Sequence, residues 1–295
     1  MTEPLLKRRK SWIAVLLSFL SIPASYLYAG RPKRALGVTC LWMGLLPAFM
    51  ILACKLPMSR EAILFAMALA VAFPILIAVD IFQITRHSQA AVLRPYQRWW
   101  VYLLTFMLSF IATHVIFFLN RTFVAEAFII PTQSMAPALN YNDRIIVDKL
   151  FFDAANLRRH DLGVFLNSKP NPATHVKRIV GLPGETIEIR DEKLFVDGVE
   201  VQDSYRDLDE AIVSPPELSN WGPTVIPQRS YFVLGDNRRI SLDSRIDGPI
   251  PFENFIGVVR LTYWSNHYKF PKDHREPPIA EGIRWDRIGS RFDQH

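Results

Sequence analysis

WWVYLLTFMLSFIATHVIFFLNRTFVAEAFIIPTQSM, residues 99–135, contains the transition that decides the fold. Residues 99–120 are apolar over the length of a bilayer span, which takes about 20 residues. From about Val124 the pattern changes to short β-like runs divided by Pro, Gly and Asn-Asp turns. The stretch therefore predicts a membrane helix that leads into a β-rich domain, with Ser134 shortly after the junction.

The residues before this junction, 1–123, form a predicted membrane domain. Hydrophobic residues make up 50% of the 295 residues, and they crowd into this half of the chain. Three stretches have the length of a span: those near 36–54, 62–82 and 99–120. The stretch near 12–29 is shorter and is interrupted by Pro23, so we expect a re-entrant or interfacial hairpin there.

Basic residues set the predicted orientation, because they favour cytoplasmic loops. They flank the hairpin on both sides and fill the loop before the last span: Lys7, Arg8, Arg9 and Lys10; Arg31, Lys33 and Arg34; Arg86, Arg94 and Arg98. With these groups inside and three spans, the domain after Arg121 emerges outside; four full spans would leave it in the cytoplasm. The net charge of +6 fits this orientation and attraction to anionic lipid. No basic helix or aromatic-basic platform indicates nucleic-acid binding.

Residues 124–270 are predicted to form an extracytoplasmic all-β domain, with an inserted Pro-rich loop near 202–228 and a polar tail at 271–295. Asp197-Gly198 lies between two apolar runs and is a strong signal for a two-residue hairpin. The predicted strands are Arg144–Val147, Leu162–Phe165, Val176–Val180, Thr186–Ile189, Leu194–Val196, Ser230–Leu234 and Val258–Tyr263.

Ser134 is a candidate nucleophile, and a serine nucleophile needs a base that takes its proton. Histidine is the usual base, but His160 and His175 are the only histidines near the β-rich motifs. No Asp or Glu is obviously placed to orient either ring. Lysine is the alternative, since Ser-Lys pairs occur as variants of the catalytic triad.

Lys177 can serve as that base only if its pKa falls from about 10.4 towards neutrality, which burial can cause. In a strand, Lys177 shares a face with Ile179 and lies opposite Arg178. We therefore expect Lys177 to be buried and Arg178 to face water. On periodicity alone, an ordinary exposed strand lysine remains the alternative.

Four motifs in this order resemble those of type I signal peptidases, the membrane-bound Ser-Lys endopeptidases that remove signal peptides from exported proteins. They are PTQSMAPAL at 131–139 followed by Asn142-Asp143, RHDLGVF at 159–165, HVKRIVGLPGE at 175–185 and GDNRRISLDSR at 235–245. The resemblance covers about residues 124–265. It implies an α-helical membrane anchor plus a mostly antiparallel β catalytic domain of coiled β-sheets.

The resemblance also implies a role for each matched residue of the site. Ser134 would be the nucleophile and Lys177 the general base, and the Ser134 N–H with the Thr132 hydroxyl would form the oxyanion hole. Three residues would support them: Ser241 by a hydrogen bond to the lysine amine, and Asp243 and Arg245 by a salt bridge.

Substrate recognition follows from the same resemblance. The residues lining small, shallow pockets would be Phe128, Ile130, Met135 and Val176. Such pockets explain a preference for Ala-x-Ala before the cut. The peptide would dock as an extended strand between residues 128–132 and 174–177.

The implied partners are the signal peptides of exported preproteins and the lipid bilayer, with no nucleic acid. No metal or other cofactor is needed. The implied location is the bacterial inner membrane, multi-pass, with the catalytic domain on the periplasmic side. The sequence leaves the oligomeric state and the substrate repertoire open.

The chain departs from the family pattern at four positions, which affects local packing rather than the Ser-Lys pair. Thr132 and Asn142 replace the usual Ser and Gly, Gly163 interrupts the second motif, and Ile240 stands where Asn is common. The sequence disfavours two other classes of protein. A non-catalytic binding module is disfavoured because both catalytic residues are present, and a self-cleaving Ser-Lys repressor because membrane spans replace a DNA-binding module.

Overall fold

The computed structural model describes residues 6–7, 9–56, 58–87, 91–92, 94–167, 173–202, 205, 219–269 and 278–292. The chain divides into two compact units. One comprises residues 1–52 and 58–124, and the other residues 53–57 and 125–295.

The first unit is helical. Its helices are α1 Ser11–Leu20, α2 Ile22–Tyr28, α3 Pro32–Lys55, α4 Arg60–Arg86 and α5 Trp99–Leu119, with a 3-10 turn at Pro95–Gln97 and a π-helical turn at Asn120–Val124. A two-stranded ribbon pairs β1 Leu6–Lys7 with β2 Ala91–Val92. Asp80 of α4 has two partners, Tyr26 Oη at 2.8 Å and Arg34 Nη1 at 3.1 Å. This carboxylate therefore ties α2, α3 and α4 together.

Within the described residues, three helices are long and apolar enough to cross a membrane: Pro32–Lys55, Arg60–Arg86 and Trp99–Val124. They contain the three predicted spans. The region near 12–29 holds α1 and α2, of 10 and 7 residues, and each is too short to span alone. The number of crossings remains a prediction.

The second unit is built on a seven-stranded sheet. In chain order its strands are β3 Ala125–Ile129, β4 Arg144–Asp148, β5 Leu162–Leu166, β6 Thr174–Gly181, β11 Ser230–Leu234, β12 Ile250–Pro251 and β13 Phe255–Trp264. They lie in the order β12-β11-β6-β5-β13-β4-β3, and every neighbouring pair is antiparallel. A single helical turn, Ser244–Asp247, follows β11, and a 3-10 turn, Phe252–Asn254, precedes β13.

Two smaller antiparallel sheets complete this unit. Their strands are β7 Thr186–Arg190, β8 Lys193–Val196, β9 Val199–Glu200, β10 Trp221–Val225, β14 Asn266–Lys269 and β15 Ile279–Ile283, followed by a 3-10 turn at Trp285–Arg287. One sheet has the order β10-β7-β8-β9, and the other pairs β14 with β15.

These strands confirm the predicted fold class of an α-helical anchor with a mostly antiparallel β domain. All seven predicted strands are present, with ends within two residues of the prediction except at β13, which begins three residues earlier. Asp197 and Gly198 form the predicted hairpin, with φ of 51° and 79° between paired Val196 and Val199. The prediction omitted β3, β10, β12, β14 and β15. Most of the loop near 202–228 and part of the tail lie outside the described residues.

One hydrophobic cluster explains how the large sheet closes on itself. Its buried members come from β4, β5 and β13 and from the loop after β3: Ile130, Met135, Leu139, Ile145, Val147, Leu162, Val164 and Val259. Phe128 of β3 and Val176 of β6 both pack against it. In a flat sheet, β3 and β6 would lie four strand spacings apart, about 19 Å. The sheet therefore curls around this cluster and brings the loop after β3 towards β6.

Candidate active site

The loop that carries Ser134 leaves the edge strand β3 and returns to β4. It is closed at its base by two backbone hydrogen bonds, Ile130 N–H to the Asp143 carbonyl at 2.9 Å and Asn142 N–H to the Ile130 carbonyl at 2.7 Å. Asn142 has a φ of 64°, the left-handed region that favours Gly and tolerates Asn better than other side chains. This geometry explains both the family's Gly and the Asn found here.

Lys177 reaches Ser134 from the middle of β6. Its Nζ lies 2.8 Å from Ser134 Oγ, and only 3% of the residue is exposed. Burial lowers the pKa of this amine from its ordinary value to about 8, while the charges of Asp243 and Asp236 act in the opposite direction. An amine with this pKa is about half neutral at pH 8, against less than about 1% for an ordinary lysine.

Arg178 corrects one sequence-based expectation. We expected it to face water, but it is 3% exposed and forms an ion pair with Asp236, with Nε–Oδ1 and Nη2–Oδ2 distances of 2.8 and 2.6 Å. The Tyr205 ring lies over the guanidinium, 3.8 Å from its carbon. Because β6 is an inner strand with both faces covered, alternation could not tell the buried face from an exposed one. The acidic residue of the GDNR motif, Asp236, is the sequence feature that could have suggested a buried ion-pair partner for Arg178.

The Thr132 hydroxyl and the 235–237 segment lie against the nucleophile. Thr132 Oγ1 is 3.2 Å from Ser134 Oγ, and the Asn237 N–H donates to the Ser134 carbonyl at 3.2 Å. Gly235 fits closely here, because a Cβ at this position would lie 2.6 Å from the Ser134 carbonyl oxygen and 2.1 Å from Ser241 Oγ. The predicted oxyanion residue, Thr132, thus lies beside Ser134, and the predicted supporting serine, Ser241, packs against Gly235.

Ser241 does not make the predicted hydrogen bond to the lysine amine within the described residues. Its side chain is fully buried, yet its Oγ has no hydrogen-bond partner within the described residues. The positioning of the lysine amine by Ser241 therefore remains a prediction.

Asp243 and Arg245 form the expected salt bridge. The Arg245 Nε–Asp243 Oδ1 and Nη2–Oδ2 distances are both 2.9 Å, and the two side chains are 2% and 0% exposed. Asp243 Oδ2 also accepts from the Gly235 N–H at 3.0 Å, and Arg245 Nη2 donates to the Arg238 carbonyl at 2.6 Å. A surface ion pair contributes little, but this buried pair also bonds two backbone groups of its own segment. Through the Gly235 N–H and the Arg238 carbonyl, the Asp243–Arg245 pair holds the backbone of residues 235–245.

The four predicted pocket residues come together around the same hydrophobic cluster. Ile130 and Met135 are 5% and 1% exposed, and Phe128 and Val176 pack against them while remaining half-buried.

Comparison with known proteins finds similarity to signal peptidases. The family described as "Signal peptidase, peptidase S26" matches residues 103–264. Signal peptidase I of Leptolyngbya laminosa is 40% identical over 49% of this chain and 71% of its own length. Signal peptidase I P of Bacillus subtilis subsp. natto is 34% identical over 51% of this chain and 83% of its own. A crystal structure of a signal peptidase I from Enterococcus faecalis V583 is 33% identical, with a TM-score of 0.31, over 35% of this chain and 96% of that one.

Proposed function

The chain belongs to the signal peptidase family, peptidase S26, and from that premise we propose that it removes signal peptides from exported preproteins by a Ser134-Lys177 dyad. It is a serine endopeptidase that hydrolyses peptide bonds. The main support for this dyad is the 2.8 Å contact between Lys177 Nζ and Ser134 Oγ. Burial also lowers the pKa of the Lys177 amine to about 8.

In the proposed reaction, neutral Lys177 takes the proton of Ser134 Oγ, which attacks the carbonyl carbon of the scissile bond. The protonated amine then gives that proton to the leaving amino group, which frees the mature protein. The signal peptide stays as an ester on Ser134. Lys177 next takes a proton from water, and the resulting hydroxide attacks the ester. As the ester bond breaks, the protonated amine returns this proton to Ser134 Oγ, and the signal peptide leaves with a free carboxyl group.

Both tetrahedral intermediates carry negative charge on the former carbonyl oxygen, and this charge needs donors. The Thr132 hydroxyl lies 3.2 Å from Ser134 Oγ and is therefore within reach of an oxygen bound beside it. The Ser134 N–H is the second proposed donor. Threonine keeps the hydroxyl that the family's serine supplies.

The substrate is proposed to bind as an added strand. Among the described strands, β3 pairs only with β4, and β11 pairs with β6 only from Arg178 onward. The β3 edge and residues 174–177 therefore offer backbone groups on two sides of the nucleophile. Phe128, Ile130, Met135 and Val176 would then admit small side chains, which supports cleavage after Ala-x-Ala sites.

Apolar helices associate the protein with a membrane. We place it as a multi-pass protein of the bacterial inner membrane, with the β domain on the periplasmic side, because three spans follow a basic N-terminal segment. The test is cysteine labelling of a C40A/C54A background with a membrane-impermeant maleimide. E253C should be labelled on intact spheroplasts and R94C only after permeabilisation; the reverse pattern contradicts this orientation.

The activity is tested with detergent-solubilised wild type, S134A, K177A and K193A on a preprotein with an Ala-x-Ala site. Lys193 is an exposed strand lysine paired with Glu200 and serves as the matched control. Wild type and K193A should cut after the second Ala, and S134A and K177A should not. Cleavage by K177A would point to His175 as base. An inactive folded wild type whose S134A variant still captures the signal peptide would support the binding module instead.

A further inference from the structure

The segment from 284 to 292 lies beyond the residues matched by the family, which end at 264. It nevertheless joins the large sheet. Gly289 N–H donates to the Thr262 carbonyl at 2.8 Å, and Thr262 N–H donates to the Ser290 carbonyl at 3.0 Å. Ile288 is 3% exposed, and Phe292 packs against the same cluster as Met135. These contacts hold the preceding residue, Arg287, in a fixed place.

Arg287 pairs with a fully buried carboxylate at the base of the nucleophile loop. Its Nη2 and Nε lie 2.7 and 3.2 Å from Asp143 Oδ2, and Asp143 is 0% exposed. Asp143 also accepts from the Ser265 hydroxyl and, at 2.8 Å, from the Asn140 N–H. A buried carboxylate requires such partners, since an unpaired one is strongly destabilising.

The same guanidinium also binds the loop directly. Nη1 donates to the Pro137 carbonyl at 3.1 Å, and Nη2 donates to the Ala138 carbonyl. These carbonyls belong to residues three and four positions after Ser134. Because the donors of a guanidinium are fixed in one plane, a single side chain sets the spacing of the three acceptors.

We infer that Arg287 is a positioning residue for Ser134. By joining Asp143 to the carbonyls of Pro137 and Ala138, it fixes the loop between residues 130 and 143, and so the place of the nucleophile relative to Lys177 and Thr132. The inference rests on the proposed function for its kinetic consequence, but the ordering of the loop can be measured without cleavage.

The experiment compares R287K, the double variant D143N/R287Q and the control R260K, all as full-length protein in detergent. Arg260 pairs with buried Asp148 at 2.8 Å in the same sheet, so it is an arginine with a buried carboxylate partner outside the nucleophile loop. A lysine keeps the charge of Arg287 but cannot reach all three acceptors in one plane. The double variant removes the buried charge together with its counterion, so it avoids the cost of an unpaired Asp143.

We expect R287K and D143N/R287Q to lose at least tenfold in kcat per folded enzyme with little change in KM, and R260K to stay within twofold of wild type. Hydrogen–deuterium exchange of the peptide 131–143 should quicken in the two Arg287 variants and not in R260K. A double variant with wild-type kcat and exchange would mean that Arg287 only neutralises Asp143, and would overturn the inference. If the double variant does not fold, R287K decides by the same two readouts.

Failure of the proposed function would look different. A wild type that leaves the preprotein intact would contradict the assigned activity, while faster exchange of 131–143 in R287K would still support the positioning role. Normal cleavage with unchanged exchange in R287K would reject the positioning role alone.

Discussion

The guanidinium of Arg178 and the carboxylate of Asp236 meet through two contacts of 2.8 and 2.6 Å, with 4% and 2% of the two side chains exposed. Arg178 directly follows the proposed base, Lys177, and Asp236 is one of the charges that raise the pKa of Lys177 against the effect of burial. The pair thus links the packing of the site to the pH at which the lysine becomes neutral.

Removal of either carboxylate should shift the pH dependence of cleavage. Asp243 and Asp236 both raise the pKa of Lys177, so D243N and D236N should lower it and move the acidic limb of kcat/KM to lower pH. In wild type this limb should have its midpoint near pH 8. The measurement is kcat/KM from pH 6 to 10, below the melting temperature of each variant, with E253Q as control. An alkaline shift in both variants would contradict the assignment of Lys177 as base.

Replacement of Lys177 by methionine should stabilise the protein while abolishing activity. The folded-state pKa of about 8 lies below the ordinary value, so protonated Lys177 costs about 3 kcal/mol of stability below pH 8. The unfolded chain binds more protons between about pH 8 and 10.5, so the cost disappears over that range as pH rises. We expect K177M to melt above wild type at pH 7 and this gap to shrink at pH 10. S134A, with its lysine intact, should show no such pH-dependent gap.

Gly235 should not tolerate a methyl group. An alanine Cβ would lie 2.1 Å from Ser241 Oγ and 2.6 Å from the Ser134 carbonyl oxygen, so G235A must displace the nucleophile or its neighbour. We expect a loss in kcat of at least tenfold. Gly198 provides the matched control: its φ of 79° penalises alanine by about 1 kcal/mol, but no atom lies within 4 Å of a Cβ there. G198A should therefore lose stability and keep its kcat, and equal kcat losses in both variants would reject this account.

Thr132 should act through its hydroxyl. T132V keeps the shape of the side chain and removes the donor 3.2 Å from Ser134 Oγ, so kcat should fall about 100-fold with KM nearly unchanged. T132S restores the family's residue and should retain activity. The comparison needs steady-state kinetics on one preprotein. A T132V enzyme with wild-type kcat would show that the oxyanion is stabilised elsewhere.

Local sequence patterns predicted secondary structure well where apolar and polar residues alternate along a strand or where a turn has a characteristic residue pair. The Asp197-Gly198 hairpin and strand β7, Thr186–Arg190, in which buried residues alternate with more exposed ones, are examples. Alternation failed at Arg178, because the covering of both faces of β6 depends on segments distant in the chain. It also gave no sign of Arg287, whose partners lie about 150 residues earlier and whose own surroundings carry no motif. Long-range ion pairs of this kind leave no periodic pattern in the sequence.

In the proposed binding mode, the substrate pairs with the open edges of β3 and of residues 174–177 and becomes part of the fold while it is bound. A peptide that pairs with both edges adds backbone hydrogen bonds to the folded state and none to the unfolded chain. Binding should therefore raise the melting temperature in proportion to the logarithm of peptide concentration above Kd. Between turnovers the β domain would be at its least stable, so the supply of preprotein would itself help to preserve the enzyme.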